Sequence, residues 1–147
     1  MGGMEDVLVY LDVALAIHAE LKAIYPEDYL LHGDLHGGNL LRNATGNYTI
    51  IDPKGVVDAL CLETARHLGN ELPCEEEQLM ESIAIIAETL HLPAIDILKS
   101  LFVDTALSYS WNLEEHYPSE KALAEAKQET LKRCSYVHGL LDEYAKQ

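Results

Sequence analysis

Between Tyr29 and Gly55 the chain reads YLLHGDLHGGNLLRNATGNYTIIDPKG. Gly33, Gly37 and Gly38 crowd one polar run, and glycine gives up the most conformational freedom on ordering. A regular helix or strand across His32–Asn39 is therefore disfavoured, and a tight turn is expected. On either side of RNATGN lie two short runs, Asn39–Leu41 and Tyr48–Ile51, the second rich in β-formers. Turn residues between two such runs predict a small β-hairpin. Its geometry sets Asn39 and Asp52 at neighbouring strand ends, on the same side of the hairpin.

The rest of the chain reads as helix. Val7, Leu8, Leu11, Leu15, Leu21 and Ile24 recur at helical spacing over Glu5–Ile24, before Pro26. A short helix is expected over Ala59–Leu68, closing near Gly69-Asn70. Another spans Glu75–Leu90, with Glu75, Glu76 and Glu77 favourably placed at its N-terminal dipole. Pro93 opens a helix to about Glu115, and Ser119 opens the last, to about Tyr144. Helices precede and follow the hairpin without strand–helix alternation, so a parallel sheet is not expected. The expected fold is mainly α with one small β-hairpin, in a single domain over 1–147.

The 147 residues carry 25 acids against 10 Lys and Arg, a formal charge of -15. Nucleic acid and anionic membrane surfaces are poor partners for such a chain. A cationic partner suits it, as does a plain solvated surface. No apolar run reaches the roughly 20 residues of a membrane span, and Met1–Glu5 does not open a signal peptide. Cys61, Cys74 and Cys134 form no CxxC pair. They read as reduced thiols, which implies a cytoplasmic setting.

The polar segment carries the chemistry. Asp34 can accept a proton from a hydroxyl or orient it. Asn39 and Asp52 offer hard oxygens suited to Mg²⁺. The spacing H-x-D-x-x-x-x-N, a hairpin, then D-x-x-G matches the layout of kinase phosphoryl-transfer sites. Two other readings compete. Asp34 and Asn39 would merely bond their own turn, or His32 and His36, four apart, would take zinc. The glycines oppose the helix that zinc ligation at that spacing needs.

LLHGDLHGGNLL and TIIDPKG together resemble the aminoglycoside phosphotransferase family, most closely its streptomycin and hydroxyurea kinase branch, over roughly Pro26–Pro73. That resemblance implies a protein-kinase-like C-terminal lobe with ATP as phosphate donor. Asp34 would be the catalytic base and His32 a brace for the catalytic loop. Asn39 and Asp52 would bind Mg²⁺, Lys54 would contact phosphate, and Glu63 would anchor the loop through backbone hydrogen bonds. The implied acceptor is a small cationic molecule bearing a hydroxyl. Asp104, Glu114, Glu115 and Glu120 are candidates to attract it, and Tyr109, Trp111 and Tyr117 to stack on it. Ordinary helix faces and core packing explain the same residues. No glycine-rich phosphate cover or strand lysine precedes His32, so the nucleotide lobe is expected to be absent and ATP binding by this chain alone to be weak. The alternative is a non-catalytic remnant lobe that binds a ligand, or forms a homodimer through the face left open.

Overall fold

The computed structural model describes residues 4–70, 72, 74–114 and 117–147, without the side chains of 4–7, 109 and 111–114. In chain order the elements are α1 (Met4–Ile24), β1 (Tyr29–Leu31), β2 (Leu40–Arg42), β3 (Tyr48–Ile50), β4 (Val56–Asp58), α2 (Glu63–Asn70), α3 (Glu76–Leu90), α4 (Ala94–Glu114) and α5 (Glu120–Ala145). Short 3-10 turns cover Gly37–Asn39 and Leu60–Leu62. The chain is mainly helical, as its periodicity predicts.

The core is built around α4. Its sequence AIDILKSLFVDTAL is apolar on nearly every side, the pattern of a helix enclosed by others. Ile97, Leu98, Leu101 and Phe102 are wholly buried. Leu21 of α1, Leu68 of α2, Leu79 and Ile83 of α3, and Val137 of α5 complete the same cluster. Each such side chain contributes about 1.5–3 kcal/mol by leaving water. Buried hydroxyls on α4 bond within the helix: Ser100 Oγ donates to Asp96 O at 2.8 Å and Thr105 Oγ1 to Leu101 O at 2.7 Å. The Asp96 carboxylate accepts from the Tyr25 hydroxyl, pinning the end of α1 to the start of α4.

Helix ends follow local chemistry. The Ser119 hydroxyl caps α5 by accepting from Ala122 N at 3.1 Å. His91 closes α3 in the left-handed conformation, φ 56°. The segment expected to be helical from Ala59 starts later: Leu60–Leu62 forms a 3-10 turn, and α2 begins at Glu63.

The expected hairpin forms, with Leu40 opposite Ile50 and Arg42 opposite Tyr48. Asn43 organises its turn, its Oδ1 accepting from Thr45 N and Asn47 N, both at 3.0 Å. The expectation of a single strand pair is corrected by a second. Antiparallel β1 and β4 pair Tyr29 with Asp58 and Leu31 with Val56. Three-residue strands show no alternation, and their partners lie far apart in sequence, so no periodicity announces them. This second pair closes a loop around everything between Leu31 and Val56, and so sets the site.

Gly33 sits at φ +82°, where a Cβ would lie 2.6 Å from Val56 Cγ2. Gly55 has φ +71°, but a Cβ there would meet nothing closer than 4.0 Å. Gly55→Ala should therefore cost only the backbone strain, about 1–2 kcal/mol. Gly33→Ala adds a clash and should cost about 2–4 kcal/mol in urea unfolding. Equal losses would contradict this packing.

Burial raises the thiol pKa of Cys61 and pushes that of Cys134 to about 11, while Cys74 is half-buried. At pH 8 an alkylating reagent should label Cys74 of the folded chain well before the other two, as peptide mass mapping would show.

Candidate active site

The site grows from one carboxylate. Glu63, the first residue of α2, accepts from His32 N at 2.6 Å through Oε2 and from Gly33 N at 3.2 Å through Oε1. The anchoring role expected of Glu63 is thus its observed geometry. Two loop amides that no strand partner satisfies are bound by a charged acceptor on the helix that packs against α4.

His32 ties the two halves of the segment together. Its ring Nε2 bonds Ile51 O at 2.6 Å, and its Nδ1 accepts from Asp34 N at 3.2 Å. These partners assign the neutral tautomer with the proton on Nε2, since a carbonyl only accepts and an amide only donates. The backbone carbonyl of His32 accepts from Lys54 N at 2.8 Å and Gly55 N at 3.2 Å. One residue therefore binds both HGDLHGGN and IDPKG. With both ring nitrogens engaged, His32 has none left for the zinc alternative. Among the described residues no group of three or more His, Cys, Asp or Glu could hold a metal ion.

Asp34 follows directly. Three nitrogens surround its carboxylate: His36 Nε2 at 3.7 Å, Lys54 Nζ at 3.8 Å and Arg66 Nε at 4.0 Å. Lys54 is mostly exposed, whereas Arg66 is half-buried on α2 and also reaches Asp104 Oδ1 of α4, at 3.6 Å. Arg66 was not singled out from sequence. No motif marks it, because its approach to Asp34 depends on where α2 begins. His36 is held by Gly38 N, which donates to its Nδ1 at 3.0 Å.

Asn39 is buried. Its amide nitrogen donates to Asp34 O at 2.9 Å and lies 3.3 Å from His36 Nε2. That commitment orients the amide and turns Oδ1 the other way. Across the hairpin, Ile51 N donates to Asn39 O at 3.0 Å, which puts Asp52 one residue beyond this pair. Asp52 is exposed and has φ 53°, a conformation that aspartate tolerates better than most residues. The structure thus joins Asp34, His36, Asn39 and Lys54 by direct contacts, and Asp52 by strand register.

Of the acids considered for a cationic acceptor, Asp104 lies beside Arg66, with its pKa raised by burial, lowered in part by Arg66 and raised further by Asp34. Glu120 is exposed at the start of α5, remote in sequence from the loop. Glu115 and the side chains of Tyr109, Trp111 and Glu114 lie outside the described residues. Tyr117 is half-buried.

A fold built on α4, a loop clamped by Glu63 and an aspartate ringed by nitrogens form a loop-borne carboxylate and amide site. The model of the aminoglycoside/hydroxyurea antibiotic resistance kinase family matches residues 4–116. The chain belongs to that family. No curated protein and no solved structure matches it.

Replacing Glu63 with Ala strands the amides of His32 and Gly33. Hydrogen bonds to a charged partner are worth about 1.5–3 kcal/mol each. Losing both, Glu63→Ala should cost about 3–6 kcal/mol and speed amide exchange at His32 and Gly33 above all. Unchanged exchange at those two amides would refute the clamp.

Proposed function

We propose that this chain carries the catalytic-loop half of a phosphotransferase, a kinase-like C-terminal lobe that moves the γ-phosphate of ATP to an alcohol group of a small molecule. The observation that carries this reading is the joining of HGDLHGGN to IDPKG through His32, in a chain that belongs to a kinase family. Phosphoryl transfer asks for positioning and charge neutralisation more than for covalent chemistry. The residues that would supply both stand on one clamped segment.

Asp34 orients the acceptor hydroxyl and takes its proton at a carboxylate oxygen. His32 and Glu63 hold the loop that presents it. Lys54 Nζ stands 3.8 Å from the Asp34 carboxylate, and its ammonium would meet the phosphate from there. Asn39 Oδ1 and the Asp52 carboxylate are the residues that would hold Mg²⁺. The fit rests on the Asn39 amide, whose nitrogen is committed to Asp34 O so that its hard oxygen is the atom left for a cation. Bound there, the ion would neutralise phosphate charge. Two protein oxygens suit Mg²⁺, which keeps several waters and takes the rest of its shell from phosphates. The acceptor proposed is an aminoglycoside such as streptomycin, or hydroxyurea, and the acidic chain suits a cation. No helix among the described residues is long and apolar enough to cross a membrane, and a cytoplasmic place is proposed with the ATP.

One observation favours a second reading, a remnant lobe that self-associates. Leu30, Leu41, Tyr48, Ile50 and Val57 of the two strand pairs are all more than half exposed. Such a surface invites cover, and a second copy would supply it.

Calorimetric titration with Mg-ATP separates the two. Weak, magnesium-dependent binding that Asp52→Asn removes is expected, since Asn keeps the backbone conformation and loses the charge. If turnover is detectable, Asp34→Ala should lower it by about a thousandfold or more without unfolding the chain. No binding at millimolar nucleotide, with a concentration-dependent dimer in sedimentation, would favour the remnant.

A further inference from the structure

Asp104 is an acid on the helix that forms the core. Its side chain is only 15% exposed, three residues after the wholly buried Leu101. Burial raises its pKa, the direction expected of a carboxylate whose charge is poorly solvated. Such a charge is costly unless a cation stands by. Arg66 of α2 supplies one, with Nη2 3.6 Å from Asp104 Oδ1. The same guanidinium reaches the glycine loop, where its Nε lies 4.0 Å from Asp34 Oδ1. The two carboxylates feel each other, since Asp34 also raises the Asp104 pKa. One cation therefore stands between two like charges, one rooted in the core and one on the loop.

α2 presents two groups to that loop. Glu63 and Arg66 are three residues apart, a spacing that puts both on one side of a helix. Glu63 grips backbone, through His32 N and Gly33 N. Those bonds fix where the chain runs, but they do not select a rotamer for Asp34. Of the other nitrogens around the Asp34 carboxylate, Lys54 is mostly exposed and His36 belongs to the same loop. Arg66 differs in standing on a helix whose Leu68 is part of the core. Its planar guanidinium loses less freedom than a lysine would in holding a carboxylate.

We propose that Arg66 is a positioning residue for Asp34, holding its carboxylate in one rotamer, and that Asp104 holds Arg66 in turn. The charge chain Asp104–Arg66–Asp34 carries the rigidity of α4 to the group that meets the acceptor hydroxyl. The proposal rests on the phosphotransfer reading for the role of Asp34 alone, and its test needs no turnover.

Nuclear magnetic resonance of the isotope-labelled chain, without nucleotide or metal, tests the first link. Three-bond couplings to the Asp34 β-protons should report one rotamer in the native chain and averaging among rotamers in Arg66→Ala. The His32 and Gly33 amides should stay protected in that variant, because Glu63 holds them. Urea unfolding at pH 7 tests the second link. Asp104→Asn should lower the midpoint of the native chain, which loses an ion pair, and raise that of Arg66→Ala, which sheds a repelling charge. If Arg66→Ala does not fold, Arg66→Gln, of similar length and no charge, takes its place in both measurements. A single Asp34 rotamer in the folded Arg66 variant, averaging already in the native chain, or a midpoint that Asp104→Asn moves the same way in both backgrounds would overturn the proposal. If streptomycin is phosphorylated, the Arg66 variant should lower kcat by roughly ten- to a hundredfold with KM for ATP unchanged, and an unchanged kcat would also overturn it. Absence of turnover counts against the phosphotransfer reading and leaves the rotamer result to decide this one.

Discussion

Two hydrogen bonds from loop amides to the Glu63 carboxylate hold the site in place. At His32 and Gly33 the glycine-rich loop has neither helical nor strand bonds for its amides, and glycine gives the backbone there many alternatives to order. A single charged side chain at the start of α2 supplies what is missing. Because α2 packs on α4 through Leu68, the loop inherits the rigidity of the core. The order of construction runs outward: α4 at the centre of the core, α2 fixed against it, Glu63 at the start of α2, then His32 and Gly33, and finally Asp34.

His32 performs the second joining step. It occupies the point where the loop and the IDPKG turn meet, and it touches both through ring and backbone. Its value is architectural: the ring spends both nitrogens on main-chain groups, which fixes its tautomer. The ring of nitrogens around Asp34 comes from three separate elements, the loop itself, the IDPKG turn and α2. Such convergence holds the aspartate's charge in balance inside a strongly acidic chain.

What could be read from sequence was what is local. HGDLHGGN and IDPKG declare themselves because glycine, aspartate and asparagine act through their own backbone neighbours, and RNATGN marks a turn wherever it occurs. Asn39 and Asp52 were placed at neighbouring strand ends by counting along a hairpin, and the Asn39–Ile51 bond agrees. The pairing of β1 with β4 was not readable. YLL and VVD are too short to show a period, and 24 residues separate Leu31 from Val56. Arg66 was missed for a related reason: its reach to Asp34 and Asp104 depends on α2 starting at Glu63 rather than at Ala59.

The central claim is that Asp34, Asn39 and Asp52 converge on one divalent cation and its phosphates. Manganese can stand in for magnesium, and its unpaired electrons broaden nearby amide resonances steeply with distance. In an isotope-labelled chain with ATP present, substoichiometric Mn²⁺ should broaden the amides around Asp34, Asn39 and Asp52 first and together, leaving α3 and α5 sharp. Broadening that begins at the acidic start of α3, or that reaches Asp52 without Asp34 and Asn39, would contradict the account.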